Sequence, residues 1–253
     1  MKIKPHIRAG LGLLLLTALW GLSFPVIKAA LAEAGSMTFI AMRFLIGAPM
    51  LAVFLRKQDI QKFRDTRKLG ILLGIFVSAG YIFQTFGLNF TTASRSGFIT
   101  GTLVVMVPFM AVPILGAKLK VRHLTAAFLA LAGLFLMTRP DLVDINIGDF
   151  LTLLCAIAFG LQVVFLQKAG KENLGLPLAL WQILIVSLVS LPTAGIVEGF
   201  RGWQFPAVWG MAGLVALTST ALAFYLQARF QPQVKSQAAA VIYTMEPVFA
   251  SFF

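Results

Sequence analysis

Nine apolar runs succeed one another along the chain, and each can cross about 30 Å of hydrocarbon as a helix rising about 1.5 Å per residue. Hydrophobic residues make up 59% of the sequence and charged residues 12%, which excludes an ordinary soluble domain. Runs this long and continuous are predicted to be helices rather than barrel strands, because a lipid-exposed backbone must satisfy its own hydrogen bonds. The sequence therefore predicts an all-α integral membrane protein with spans near 9–32, 37–55, 69–90, 96–116, 122–138, 149–167, 176–197, 207–228 and 236–253.

The basic residues are distributed unevenly between the two sides of these spans. The side that holds the N-terminus carries sixteen of the 21 lysines and arginines, whereas the other side carries only Lys28, Arg95, Arg139 and Arg201. By the positive-inside rule, the N-terminus is predicted to be cytoplasmic. The net charge of +12 therefore indicates orientation, and no nucleic-acid partner is predicted.

A weak internal repeat relates the two halves of the sequence. At an offset of 139 residues, Trp20-Gly21-Leu22 falls on Phe159-Gly160-Leu161, and Pro108 falls on Pro247. Each repeat unit contains five spans, an odd number, so the second copy is expected to insert upside down, as in many secondary transporters. The prediction is an inverted repeat of two five-helix halves.

The boundaries of the predicted halves are 1–140 and 141–253. The fifth helix of the first half, at 124–138, has an expected counterpart at about residues 263–277, beyond the last residue of the sequence. A ten-helix plan is therefore predicted, with nine spans in the chain and the tenth helix missing.

Three stretches carry a resemblance to a known family. They are Ala18-Leu19-Trp20-Gly21-Leu22-Ser23-Phe24 in the first span, Arg43-Phe44 in the second and Met245-Glu246-Pro247-Val248-Phe249-Ala250 in the ninth. Together with the duplication, they resemble the drug/metabolite transporter superfamily in its ten-helix EamA-type branch. The resemblance implies a multi-pass protein of the bacterial inner (plasma) membrane with a central cavity, which exports amino acids, metabolites or drugs.

Glu246 and Arg43 are the candidates for coupling and for solute recognition. Glu246 lies in the middle of the ninth run, where an ionisable group is costly, and it is the one carboxylate predicted to lie within a span. Counted from the ends of their spans, the two charges differ in depth by only about 6 Å. One hypothesis is a charge pair that rearranges when a proton or solute binds, and the other is a fixed salt bridge between the halves.

Polar and aromatic side chains in other spans are the remaining cavity candidates. They suit an amphipathic or aromatic solute. The alternatives are that the aromatic residues lie at the membrane interfaces and that the amides join helices to one another. These candidates are Trp20, Ser23, Tyr81, Gln84, Gln162, Trp181, Gln182 and Tyr243.

The predicted function is secondary membrane transport, with export from the cytoplasm by alternating access at the central cavity. The sequence has no GxxxxGK[ST], HExxH or GxSxG motif, so an enzyme is not expected. His6 and His123 have no carboxylate or cysteine at ligand spacing, so neither a metal nor another cofactor is expected. A facilitator or exchanger of nucleotide-like or phosphorylated solutes and a non-transporting membrane scaffold are the alternatives.

The expected partners are a small-molecule solute, the lipid bilayer and protons as the candidate coupling ion. A monomer and a homodimer are both left open by the sequence.

Overall fold

The computed structural model describes residues 5–140, 144–169 and 174–250, and within these ranges the chain forms helices and short connections without strands. A π-helical segment, Ala216–Leu222, connects the helices Pro206–Val215 and Ala223–Phe230, and a short 3-10 turn, Gln231–Gln233, follows the second of them. The predicted all-helical fold is therefore confirmed. The α-helices are α1 Pro5–Leu31, α2 Ser36–Ala52, α3 Lys57–Asp65, α4 Arg67–Gly87, α5 Ala93–Gly101, α6 Leu103–Leu115, α7 Val121–Thr138, α8 Ile147–Gln167, α9 Gly175–Glu198, α10 Pro206–Val215, α11 Ala223–Phe230, α12 Ser236–Tyr243 and α13 Glu246–Ala250.

Seven helical segments in these ranges are long and apolar enough to cross a membrane. Large apolar side chains on their outer surfaces are exposed, as Leu129, Leu188 and Ile196 illustrate. Exposed apolar surface of this extent is typical of contact with lipid. The seven segments are His6–Leu31, Arg67–Gly87, Ser94–Leu115, Val121–Thr138, Ile147–Gln167, Gly175–Glu198 and Pro206–Gln233.

Two of the nine predicted spans are shorter than the sequence suggested. Helix α2 has 17 residues, so it is about 26 Å long. The ninth run is divided between α12 and α13, which are separated by Thr244 and Met245. Pro247 explains the division, because it has no N–H to donate to the carbonyl of Tyr243.

The long helices alternate in direction, so the bundle has two ends that are useful to name. The near end is where α1 begins, and it also holds α3 and the connection from α11 to α12. The far end is where α1 terminates, and it also holds the connections from α4 to α5 and from α9 to α10.

Helix α3 lies at the near end, in the segment between the second and third predicted spans. Its first turn is closed by a 3.1 Å hydrogen bond from the Arg56 backbone N–H to Asp59 Oδ2. The ring of Phe63 stacks on Trp181 of α9 with centroids 4.3 Å apart, and the Trp181 indole N–H donates to the Phe63 carbonyl at 2.7 Å. The periodicity of the membrane spans could not predict this helix, because it is short and mostly polar.

The two halves pack against each other in a symmetric pattern. Helix α2 packs on α9, which is its counterpart in the predicted repeat. Helix α4 packs along α8, and the equivalent pair, α10–α11 and α1, is also in contact. The arrangement places α1, α2, α4, α8, α9 and α11 around the middle of the bundle.

Glycines of α4 allow the close approach of α9 from the second half. A Cβ on Gly70 would collide with the side chain of Trp181, and a Cβ on Gly74 would lie 2.5 Å from Cβ of Ile185. Small residues commonly permit such contacts between membrane helices. The spacing of Gly70 and Gly74 therefore serves packing between α4 and α9 within one chain.

Candidate functional site

Arg43 is a buried cation held by an aromatic neighbour from another helix. Its side chain is on α2, with 6% of the residue's surface exposed, and Nη2 donates a 2.7 Å hydrogen bond to the Tyr81 hydroxyl on α4. The guanidinium carbon lies 4.9 Å from the centroid of the Phe44 ring and 5.2 Å from that of Tyr81. Within the described ranges, Nε of Arg43 has no hydrogen-bond partner, and the side chain forms no ion pair. The site therefore presents a positive charge with an unused donor.

Phe44 and Tyr81, the two rings next to Arg43, belong to an aromatic cluster built from both halves of the chain. Phe44 packs edge-on against Tyr81 and against Phe224 of α11, with centroid separations of 5.5 and 5.6 Å. Tyr81 packs edge-on against Phe159 of α8 at 5.7 Å. Four helices thus contribute to one aromatic cluster, which can contact an apolar part of a solute.

Glu246 is partly buried at the start of α13, within electrostatic range of Arg43 and of Tyr81. It forms no direct ion pair with Arg43 in this conformation of the described chain. A Cβ added to Gly21 would lie 2.7 Å from the carbonyl oxygen of Glu246, so α1 and α13 pack closely here. The structure therefore brings the two charges near each other without joining them.

Trp20 and Tyr243 form a second aromatic pair, and Tyr243 lies three residues before Glu246 in the chain. Their rings are 5.6 Å apart, and the Trp20 indole N–H donates at 3.2 Å to the carbonyl of Ser219. The hydroxyl of Ser23 donates to the Trp20 carbonyl of its own helix at 2.7 Å. Among the cavity candidates, Trp20 and Tyr243 are therefore brought together, and Ser23 is bonded locally.

The Ser219 carbonyl, which accepts the Trp20 hydrogen bond, belongs to the π-helical segment of the eighth span. Hydroxyls in this segment compete for backbone acceptors, since Thr218 donates to the Leu214 carbonyl at 2.9 Å and Ser219 to the Val215 carbonyl at 3.3 Å. A wide turn inside an α-helix is frequent at functional sites. Here it supplies one of the contacts between α1 and the eighth span, the hydrogen bond from Trp20 to the Ser219 carbonyl.

Gln162 and Gln182 meet in a buried amide cluster together with Gln227. Gln162 Nε2 donates to Oε1 of Gln182 at 2.8 Å and to Oε1 of Gln227 at 3.1 Å, which joins α8, α9 and α11. All three side chains are buried. The amides therefore bind one another, and this geometry favours the predicted alternative that they join helices.

Gln231 extends the polar interior towards Tyr243. It accepts a 2.7 Å hydrogen bond from the Tyr243 hydroxyl and donates at 2.6 Å to the Val163 carbonyl. Neither Gln227 nor Gln231 was predicted from the sequence to be a site residue. Gln227 lies at the end of the eighth run and Gln231 just beyond it, and Arg229 between them made both resemble residues at the membrane interface.

Two other candidates lie apart from the Arg43 cluster. Gln84 of α4 contacts the Thr100 hydroxyl of α5 at 3.4 Å. Trp181 lies at the near end, where it is stacked on Phe63 and packed over Gly70. Its neighbour Gln182 faces the amide cluster instead, because consecutive helical residues point about 100° apart.

At the far end, a buried ion pair ties the two halves together. Arg95 Nη2 lies 2.6 Å from Asp149 Oδ2, and both residues are buried. The Thr91 hydroxyl donates to the other carboxylate oxygen at 3.0 Å, and the Asn146 backbone N–H donates to Oδ2 at 2.9 Å. Asp149 therefore both begins α8 and connects it to the first half.

A second far-end contact joins Glu198 to the start of α2. Its carboxylate accepts from the backbone N–H groups of Met37 and Thr38 at 3.0 and 2.8 Å, and from the Thr38 hydroxyl at 2.9 Å. A carboxylate is favourable at a helix N-terminus, where backbone donors are unsatisfied. The contacts of Glu198 and Asp149 were not predicted from the sequence, because they depend on how distant parts of the chain fold together.

Comparisons with known families and relatives show which proteins this chain is similar to. The EamA-like transporter family matches residues 8–139 and again residues 146–253. An uncharacterized transporter of Archaeoglobus fulgidus is 33% identical over 245 residues, which is 97% of this chain and 76% of that protein. The uncharacterized transporter YoaV of Bacillus subtilis is 22% identical over 256 residues, which is 98% of this chain and 87% of that protein.

The fold is also similar to that of a solved structure described as a crystal structure of a protein. The match has a TM-score of 0.77 at 15% identity and covers 98% of this chain and 86% of the other. At this identity the likeness concerns the fold alone. With its membrane-length helices and two family matches, the chain belongs to the EamA-like transporter family, as a multi-pass integral membrane transporter and not an enzyme.

Proposed function

We propose that the protein is a secondary transporter that exports an amphipathic solute bearing a carboxylate, such as an amino acid or a related metabolite or drug. The observation that carries the proposal is Arg43, a buried guanidinium with an unused Nε donor and without an ion-pair partner in the described ranges. A buried charge without a counterion is unfavourable unless another group neutralises it. A solute carboxylate is the natural complement, because guanidinium and carboxylate match in charge and geometry.

The aromatic surroundings define the rest of the solute. Phe44 and Tyr81 offer apolar ring surface beside the guanidinium, and Phe159 and Phe224 pack against these two rings. Ligand sites commonly combine such walls with a few fixed polar groups. An amino acid with an apolar or aromatic side chain therefore fits better than a phosphorylated solute, which usually needs several donors around its phosphate.

The orientation of the transporter in the proposal, and the side to which this conformation is closed, follow from the contacts and charges at the two ends. The excess of lysine and arginine at the near end favours a cytoplasmic position for that end. At the far end, Arg95–Asp149 and the Glu198 cap hold the halves together. We therefore interpret this conformation as closed to the outside, and export requires these contacts to separate as the halves rock about the central site.

Glu246 is the coupling group in this proposal. It lies within electrostatic range of Arg43, the cation assigned to the solute carboxylate. A change in the charge bound at one group alters the electrostatic energy of the other. Solute binding and proton binding are therefore linked through Arg43, so the rate of transport is expected to depend on pH.

The proposal is tested by reconstituting the transporter in proteoliposomes with a panel of labelled amino acids, with and without a pH gradient. Transport of an apolar amino acid is expected to accelerate with the gradient, and Glu246→Gln is expected to lose that acceleration. Glu33→Gln, which alters an exposed carboxylate at the far end, is the matched control. Exchange that ignores pH in both wild type and Glu246→Gln would instead indicate a facilitator, and movement of phosphorylated solutes alone would contradict the proposed substrate class.

A further inference from the structure

A cluster of six lysine and arginine residues surrounds α3 at the near end of the bundle, and we call it the α3 basic patch. Only two carboxylates, Asp59 and Asp65, lie in the same segment. Within the described ranges, none of the six side chains forms an ion pair. Its positive charge is therefore not neutralised by the fold. The patch consists of Arg56, Lys57, Lys62, Arg64, Arg67 and Lys68.

The two carboxylates of the segment are already engaged in local contacts. Asp59 Oδ2 accepts the Arg56 backbone N–H at 3.1 Å. Asp65 Oδ1 accepts from the Gln61 side-chain amide at 2.8 Å. Both contacts lie within α3 and its first turn, so the acidic groups stabilise the helix and leave the cations available.

Exposed apolar side chains lie beside the patch. Phe54, just after α2, is 68% exposed, and Ile60 in α3 is 45% exposed. Lys57 and Arg64 lie three residues before and four residues after Ile60, so they share its side of the helix. A basic helix surface with an apolar strip is typical of a segment that lies at the level of the lipid headgroups.

The α3 helix is fixed to the transmembrane bundle and does not hang free. The parallel stack of Phe63 on Trp181, with an interplanar angle of 2°, is reinforced by the indole hydrogen bond to the Phe63 carbonyl. Tryptophan is favoured at the membrane interface. The patch is therefore held at one depth and orientation. This reduces the conformational entropy that the protein loses when a headgroup binds.

We propose that the α3 basic patch is a binding site for anionic phospholipid headgroups. Phosphate and other anionic headgroup oxygens complement the clustered cations, and Ile60 and Phe54 contact the adjoining acyl chains. Trp181 precedes Gln182 of the buried amide cluster, so a lipid bound at α3 also stabilises the part of α9 that joins α8 and α11. The site goes beyond the proposed solute site and does not depend on the identity of the solute.

The test compares thermal unfolding of the transporter in nanodiscs of phosphatidylcholine with unfolding in nanodiscs that also contain phosphatidylglycerol. The anionic lipid is expected to raise the unfolding temperature, and Lys57→Gln with Arg64→Gln is expected to remove at least half of that rise. Lys118→Gln with Lys120→Gln is the control, because these residues are an exposed basic pair in another near-end connection. The control is expected to keep most of the rise.

A direct measurement guards against a variant that folds poorly. A photoactivatable phosphatidylglycerol incorporated around the wild-type protein is expected to label peptides covering residues 54–68 several-fold more than those covering 116–122. Equal labelling of the two segments, or equal loss of the thermal shift in the two double variants, would overturn the proposal. The lipid effect would then be explained by general attraction between anionic lipid and the basic surface of the protein.

Discussion

Arg43 Nη2 donates a 2.7 Å hydrogen bond to the Tyr81 hydroxyl, so a buried cation of α2 is held by a neutral phenol of α4. The bond orients the guanidinium without cancelling its charge. A carboxylate partner from the protein would have done both, and it would have left nothing for a solute to neutralise. The pair is therefore suited to a binding site that is complete only when an anion enters.

Replacing Tyr81 with phenylalanine tests this orienting role. Tyr81→Phe keeps the ring that packs on Phe44 and Phe159 but removes the acceptor for Arg43. The half-saturating solute concentration is expected to rise about tenfold, since a hydrogen bond to a charged group contributes about 1.5–3 kcal/mol. Transport kinetics in proteoliposomes provide the measurement.

The control for this variant is Tyr225→Phe, because Tyr225 packs against the same core and makes no hydroxyl hydrogen bond within the described residues. It is expected to transport like wild type. If both variants lower transport equally, loss of a phenol anywhere in the core explains the effect, and the role given to Tyr81 is wrong.

The Arg95–Asp149 pair is expected to dominate stability at the far end. Asp149→Asn removes the charge opposite a buried guanidinium, and breaking a buried pair in this way costs about 3–5 kcal/mol. Asp144→Asn is the control, since the Asp144 side chain is exposed and Arg95 donates a hydrogen bond to its backbone carbonyl, which the substitution keeps. Thermal and denaturant unfolding should separate the two variants clearly.

A double variant distinguishes the ion pair from the helix-starting role of Asp149. Adding Arg95→Gln to Asp149→Asn removes the unpaired cation, so part of the lost stability is expected to return. Stability that falls by the sum of the two single changes would show that the residues act independently.

Removing the Glu198 cap is expected to destabilise the start of α2 by less than removing Asp149 destabilises the far end. Glu198→Ala removes three hydrogen bonds to Met37 and Thr38, and loss of a helix cap typically destabilises by about 0.5–2 kcal/mol. Hydrogen exchange at 36–39 is expected to accelerate, whereas the exposed control Glu33→Ala should leave it unchanged. Unchanged exchange in Glu198→Ala would mean that the cap contributes little to holding the far end closed.

The contact between α4 and α9 should not tolerate a methyl group at Gly70. Gly70→Ala places its Cβ against Trp181, so a drop of about 1–3 kcal/mol in unfolding free energy is expected from overpacking. Gly133→Ala in α7 has open space around the new methyl and should be neutral or slightly stabilising. The prediction fails if thermal unfolding shows that the two alanine variants are equally stable.

The membrane fold and the family were predictable because they depend on features that are local or periodic. Runs of apolar residues identify helices regardless of their neighbours, and the offset of 139 residues aligns the motifs of the two halves. Arg43 stood out for the same reason, since a charge inside an apolar run is visible without a structure. Counting depth along two spans predicted that Arg43 and Glu246 lie at similar levels in the membrane.

Other parts of the site depended on partners that a single sequence does not reveal. Trp181 and Gln182 are adjacent in α9, yet one anchors α3 and the other joins the amide cluster. Gln227 resembled a boundary residue until Gln162 was found against it. The π-helical segment Ala216–Leu222 has no periodic signature, because it depends on hydroxyl competition and on the contact with α1.

The most direct test of the central claim is counterflow of a labelled apolar amino acid against two unlabelled competitors, the same amino acid and its carboxamide, which lacks the negative charge. Wild type is expected to exchange the amino acid at least tenfold better than the carboxamide. Arg43→Gln is expected to lose that preference, whereas Arg201→Gln, which alters an exposed arginine at the far end, should retain it. Equal exchange of the two competitors by wild type, or an undiminished preference in Arg43→Gln, would contradict a solute carboxylate at Arg43.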